Sequence, residues 1–223
     1  MGNSVSTKRL SYAGEKSHLE LRLDDIPESC LALVLMHLQP VEICKLAGIS
    51  KAFRNASSAD FIWEEKLPAN YKYLLMIDGR DGRDLIVPGK KGLYATLCRS
   101  ISFDGGRKEV WVHSKFGGIC LSISSKSLSI TGINDRRHWI YIPTDESRFQ
   151  SVAYLRKAWW VEIRGELVFQ FPIGTYFVFF KIHLGRCSTK SGRGNSSQER
   201  IHGWEVKPVQ FTLTTSHGQS FTS

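Results

Sequence analysis

At 223 residues, with 42% apolar and 23% charged side chains, the chain has the length and composition to bury a globular core. Its longest apolar runs, residues 31–36 and 176–180, are far too short to span a bilayer, and no charged-then-apolar leader opens it, so a soluble, non-secreted chain of the cytoplasm and nucleus is expected. The net charge of +9 is unevenly spread: residues 20–66 hold five Lys or Arg against eight Asp or Glu, and residues 67–223 hold 22 against 12.

That asymmetry predicts two modules with different partners. The basic part could attract nucleic acid, acidic proteins or a membrane surface, or simply keep the chain soluble, since its charges are scattered singly. Five widely spaced cysteines (Cys30, Cys44, Cys98, Cys120, Cys187) form no CxxC pair and have no His partner at zinc spacing. They read as reduced thiols, and no metal or other cofactor is expected.

Residues 1–19 are polar and aperiodic, and are expected to be disordered. They contain Gly2 followed by Ser6, the spacing of a myristoylation signal; a single acyl chain with few nearby cations would give reversible membrane association.

From Leu23 the spacing becomes helical. After Ile26 and Pro27, apolar residues at Cys30, Leu31, Val34, Leu35 and Leu38 make one stripe, ended by Gln39-Pro40. A second helix carries Val41, Ile43, Cys44, Leu46 and Ala47 and closes at Gly48. A third runs from Ser50 to Ala56, and a fourth from Ala59 to Leu67, with Phe61, Ile62 and Trp63, stopped by Pro68. Four such helices bury little surface by themselves, so the surplus apolar face either meets a partner or packs on the rest of the chain.

The runs LDDIPESCLALVLMHL (23–38), VEICKLA (41–47), ISKAFR (49–54) and DFIW (60–63) together resemble an F-box, with Ile26 and Ile49 replacing the family's usual Leu and Val. The resemblance covers residues 20–66 and implies docking onto a Skp-type adaptor and, through it, a cullin. Its implied contact set is Ile26, Pro27, Leu31, Val34, Leu35, Leu38, Val41 and Leu46, with Trp63 closing the bundle.

Residues 67–100 read as a helical connector with helices over 71–77 and 90–99. The period then changes to two. Strands are expected over 101–103, 110–113, 119–123, 128–131, 139–142, 158–164, 167–171, 175–184, 201–206 and 209–215, separated by Gly and Pro turns. The fold class is therefore α+β, a small helical module followed by an antiparallel sandwich or barrel. The Ser-, Gly- and Arg-rich stretch 186–200 is expected to be a mobile loop.

Alternation in AWWVEIR (158–164) places Trp160, Glu162 and Arg164 on one face. An aromatic plate beside a carboxylate and a guanidinium can stack on a sugar ring and bond its hydroxyls. The same three side chains can equally form a salt-bridged patch with Arg164 over Trp160.

The segment YLRKAWWVEIRGELVFQFPIGTYFVFF (154–180), with KSLSIT (126–131), HWIY (138–141) and GWEV (203–206), is similar to the phloem protein 2 lectin domain of plants. This resemblance covers about residues 90–223, with the sandwich over 101–223. It implies a jelly-roll-like sandwich that binds N-acetylglucosamine-type oligosaccharides or glycoproteins, with Trp160 and Glu162 as first candidates and Trp111, Trp139 and Trp204 as further platforms. Gly132 stands where the family often has a Trp, and relatives run somewhat past the position of Ser223, so the resemblance leaves open one aromatic sugar contact and the completeness of a closing strand.

No HExxH, GxSxG, P-loop or GxGxxG is present and no cysteine has a nucleophile's setting, so intrinsic enzymatic activity is not expected. Together the two resemblances imply a substrate-recognition subunit of a Skp–cullin–F-box ubiquitin ligase. In the alternative, the basic β domain reads a protein degron or nucleic acid instead of a carbohydrate.

Overall fold

The structure is a computed structural model in which residues 26–79, 89–183 and 209–223 are described. Residues 1–19 with Gly2, the loop expected over 186–200, the strand expected over 201–206, and Trp204 lie outside them. No described helix is long and apolar enough to cross a membrane. The chain divides into two compact units, one through Gly174 and one from Thr175.

The helical spacing produces helices close to where it predicts them. They are α1 (Glu28–Met36), α2 (Pro40–Leu46), α3 (Lys51–Ala56), α4 (Asp60–Lys66), α5 (Tyr71–Ile77) and α6 (Gly89–Leu97). Local chemistry sets their starts. Pro27, which has no N–H to lose, leads into α1 and its carbonyl accepts from Cys30 and Leu31 at 2.9 and 3.2 Å. Glu42 reaches back from the first turn of α2 to accept the Gln39 N–H at 2.9 Å, and Ser50 Oγ accepts the Phe53 N–H at 3.2 Å as the cap of α3. A side-chain cap of this kind contributes about 1 kcal/mol.

One core runs through all of this and beyond it. Leu31, Leu35, Ile43, Ile62 and Trp63 are buried with Leu74 of α5, Tyr94 and Leu97 of α6, and Ile101, Val110 and Val112 of the first sheet. Trp63 is its hub: its indole N–H donates to the Ser57 carbonyl at 2.7 Å and its ring lies 5.3 Å from that of Tyr94. Burial, and secondarily Cys98 alongside, pushes the Tyr94 hydroxyl far above its ordinary pKa, so it stays a donor, reaching the Ser114 carbonyl at 3.3 Å. Polar bonds reinforce the junction. Lys91 Nζ donates to Ser57 Oγ at 2.9 Å, Lys66 Nζ to the Met36 carbonyl at 2.7 Å, and the Lys90 N–H at the start of α6 to Asp60 Oδ1 at 2.8 Å.

Antiparallel strands follow, in four small sheets among the described residues. In the first, β1 (Ile101–Phe103), β2 (Lys108–Val112) and β3 (Ile119–Ile123) are hairpin neighbours, with Val110 opposite Leu121 and Trp111 opposite Cys120. The turn joining β1 to β2 carries a left-handed run at Asp104, Gly105 and Gly106, where only Asp104 has a side chain to strain. β4 (Ser129–Ile130) pairs with β7 (Ile163–Arg164), and β5 (Trp139–Pro143) with β6 (Ser151–Leu155). In the second unit β8 (Thr212–Thr214) pairs with β9 (Ser220–Thr222), and Phe180 stacks on Phe211 at 5.7 Å.

Several strand expectations need correcting. Only Ile163 and Arg164 of the run 158–164 enter a ladder, residues 167–171 and 175–183 enter none, and the stretch expected over 209–215 shrinks to Thr212–Thr214. Conversely, β6 and β9 form where no strand is expected. A period of two fixes which side chains share a face, but a strand exists only where a neighbour takes its N–H and C=O groups.

Candidate partner-binding surfaces

The first surface belongs to the helical module. α1 turns Leu31, Ala32 and Leu35 into the core, with Leu35 fully buried. Cys30, Leu33 and Val34, at one- and three-residue steps on the opposite arc, face solvent; Val34 is 60% exposed. Ile26 and Pro27 are exposed at the entry to α1, and Phe61 is exposed beside a groove lined by Glu28, Ser29 and Ala32. The implied contact set thus divides. Ile26, Pro27 and Val34 are available to a partner, Leu31 and Leu35 form the core beneath, and Leu38, Val41 and Leu46 are half-buried, with Leu38 and Leu46 packed against that core. Leu33, Ile49 and Phe61 are exposed apolar residues that the stripe reading passed over. The helical stripe is thus split, with one apolar side of α1 packed on the core and a second apolar side exposed.

The second surface is sought among the aromatic candidates. Trp160 is 65% exposed in a stretch outside any ladder. Glu162 makes the salt bridge allowed by alternation: Arg164 Nε donates to Glu162 Oε1 at 2.7 Å, and Arg164 Nη2 lies 2.6 Å from the same oxygen. Its backbone carbonyl accepts from Thr131 N–H and Thr131 Oγ1 at 3.0 and 3.2 Å.

Trp139 is not an open platform. It is only 6% exposed, and its indole N–H donates to the Thr131 carbonyl at 2.9 Å, one residue past β4.

Trp111 sits elsewhere, on the three-stranded sheet. Its neighbours Val110 and Val112 point into the core, so Trp111 shares the opposite face with Glu109. There the Arg148 guanidinium lies 3.6 Å from the ring centroid and 3.8 Å from Glu109 Oε2, which also accepts from Ser100 Oγ at 2.6 Å. Burial pushes the Cys120 thiol up, and Arg148 partly opposes that shift. This Arg–Trp–Glu cluster went unseen in the sequence because Arg148 comes from the turn between β5 and β6; alternation of Glu109 and Trp111 in KEVWV was the half of the signal on view. The structure therefore links Glu162 with Trp139 through Thr131 and keeps Trp111 with Arg148 on its own sheet.

The F-box domain model matches residues 23–65 and the phloem protein 2 model matches residues 118–223. F-box protein PP2-A13 of Arabidopsis thaliana is 53% identical over 206 residues, 92% of this chain and 70% of that protein. The chain belongs to the F-box proteins that carry a phloem protein 2 domain. F-box protein PP2-A12 (49% identical; 96% of this chain, 72% of that protein) and F-box protein PP2-A11 (46%; 100% and 76%), both of Arabidopsis thaliana, agree. No solved structure matches the chain.

Proposed function

We propose that the protein is the substrate-recognition subunit of a Skp–cullin–F-box ubiquitin ligase, an adaptor without chemistry of its own. The observation that carries this is the two-sided α1: Leu31 and Leu35 hold the helix on a core shared with α6 and the first sheet, which leaves Cys30, Leu33 and Val34 as a preformed apolar strip. Such a helix face is what an apolar partner surface accepts. The client side is the phloem protein 2 domain, and the proposed ligand is a client bearing N-acetylglucosamine-type sugar, stacked on the exposed Trp160 with Glu162 as hydroxyl acceptor. Glu162 keeps lone pairs available beside its Arg164 bridge, since a carboxylate accepts several bonds.

Two measurements on the full chain test the two halves separately. Capture of a purified Skp-type adaptor should be weakened in Val34→Asp with the thermal transition unchanged; undiminished capture would refute the adaptor reading. On a glycan array the wild type should retain chitooligosaccharides and Trp160→Ala should not, and a blank array for the wild type would refute the sugar reading while leaving the first intact.

A further inference from the structure

A cationic surface lies outside the helical module, at one end of the β5–β6 hairpin, and adjoins in sequence the stretch that carries Trp160. Trp139 pairs with Leu155, so the chain entering β5 and the chain leaving β6 emerge side by side. Two bonds hold them together: the Arg156 N–H donates to the His138 carbonyl at 2.8 Å, and His138 Nδ1, as the protonated nitrogen, donates to the Lys157 carbonyl at 2.7 Å. Arg136, Arg137, Arg156 and Lys157 are thereby drawn from two distant stretches of chain to one exposed edge.

Among the described residues, one of these cations is neutralised. Arg137 grips Asp135 at 2.7 Å, and that grip holds the Asp135 carboxyl down to about 2. Arg136, Arg156 and Lys157 have no carboxylate partner among the described residues. Two residues beyond Lys157 stands Trp159, 93% exposed. An unpaired guanidinium presents a planar fork that matches a carboxylate, and Arg and Trp are the residue types that dominate protein–protein contacts.

We propose that this edge is a docking surface for an acidic peptide segment of the client protein. The inference rests on the adaptor reading above but not on the sugar reading. A peptide fits better than single-stranded nucleic acid for two reasons. The cations form a compact spot two strands wide, about 5 Å per strand spacing, and not a stripe tracking a backbone. The row of successive aromatic plates that bases stack on is also missing among the described residues here, since Trp159 and Trp160 are the only exposed indoles beside the spot.

The test uses the full chain and three fluorescent probes of about twelve residues: a Glu/Ser peptide, its Lys/Ser counterpart, and oligouridylate. Anisotropy should show the Glu/Ser peptide binding, weakening as salt rises toward screening strength, and the Lys/Ser peptide not binding. The triple variant R136Q/R156Q/K157Q should weaken the Glu/Ser complex by about tenfold or more. These side chains are exposed, so circular dichroism and adaptor capture should match the wild type. Unchanged affinity in the triple variant, or no binding of the acidic peptide by the wild type, overturns the proposal. Tighter binding of oligouridylate than of the Glu/Ser peptide at equal salt overturns it in favour of nucleic acid. Failed adaptor capture by wild type and variant alike would instead strike the adaptor reading, which the peptide titration does not measure.

Discussion

Residues 28–97 and residues 156–174 lie in the same compact unit and are comparably apolar, yet they behave differently. The first stretch buries Leu31, Leu35, Ile43, Ile62, Trp63, Leu74, Tyr94 and Leu97 in one core. The second leaves Trp159, Trp160, Val161, Val168, Phe171 and Ile173 exposed, and enters a ladder only at Ile163 and Arg164. A helix satisfies its own backbone, so it forms without a neighbour's hydrogen bonds and its apolar spacing marks the side chains it has to bury. An extended segment must borrow a neighbour's hydrogen bonds before its side chains can be ordered, and the neighbour is specified elsewhere in the chain. Phe169 shows the difference at a single residue: it is in no strand, but it lies 5.3 Å from Tyr73 and 4.6 Å from Phe171 and packs on the core by its side chain alone.

The largest effect expected from this contrast is between two tryptophans. Trp63→Ala empties the hub of the core and orphans the Ser57 carbonyl, and should cost about 3–5 kcal/mol in urea unfolding. Trp159→Ala, at a ring already in water, should change stability by no more than about 0.5 kcal/mol. Comparable losses at the two positions would mean that residues 156–174 are packed in solution, and the comparison would fail.

Next in size are adjacent positions of α1. Leu35→Ala empties a fully buried position of the core and should cost about 3 kcal/mol in urea unfolding. Val34→Asp should leave the transition in place and weaken adaptor capture by about 2 kcal/mol, roughly thirtyfold in Kd. Equal destabilisation by both variants would show that the solvent arc of α1 is part of the core.

The same contrast explains what could be read from residue order. Helix positions were legible because caps and stops are local: Pro27, Gln39 with Glu42, Ser50 and Pro68 each act within a few residues. The division of α1 into a core side and a free side was half legible. Its stripe included both Leu35 and Val34, and only the packing of α3 and α4 against α1 shows which side is taken. Ladders and the aromatic sites depended on partners far away in sequence. Trp139 looks like a platform until Thr131 is seen accepting its N–H, and Trp111 looks open until Arg148 is found over it.

The next effect is smaller and probes the junction that gives the helical stretch its shared core. Gly89 opens α6 at φ +71°, a left-handed conformation that costs a residue with a Cβ about 1–2 kcal/mol. Its Cβ would also meet Asp60 Oδ1 at 2.7 Å. Gly89→Ala should therefore lose slightly more than the backbone term.

Asp60→Ala should cost about 1 kcal/mol by itself, because it removes the acceptor of the Lys90 N–H at the start of α6. The two substitutions share one contact, so they should not be additive. With Asp60 truncated, the alanine at 89 keeps its backbone strain but has no carboxylate to push aside, and the double variant should be less destabilised than the sum of the singles by about 0.5 kcal/mol. Urea midpoints of the four proteins measure that difference. Strict additivity would mean that α6 begins independently of α4, and that the helical stretch holds together through its apolar side chains without the help of this bond.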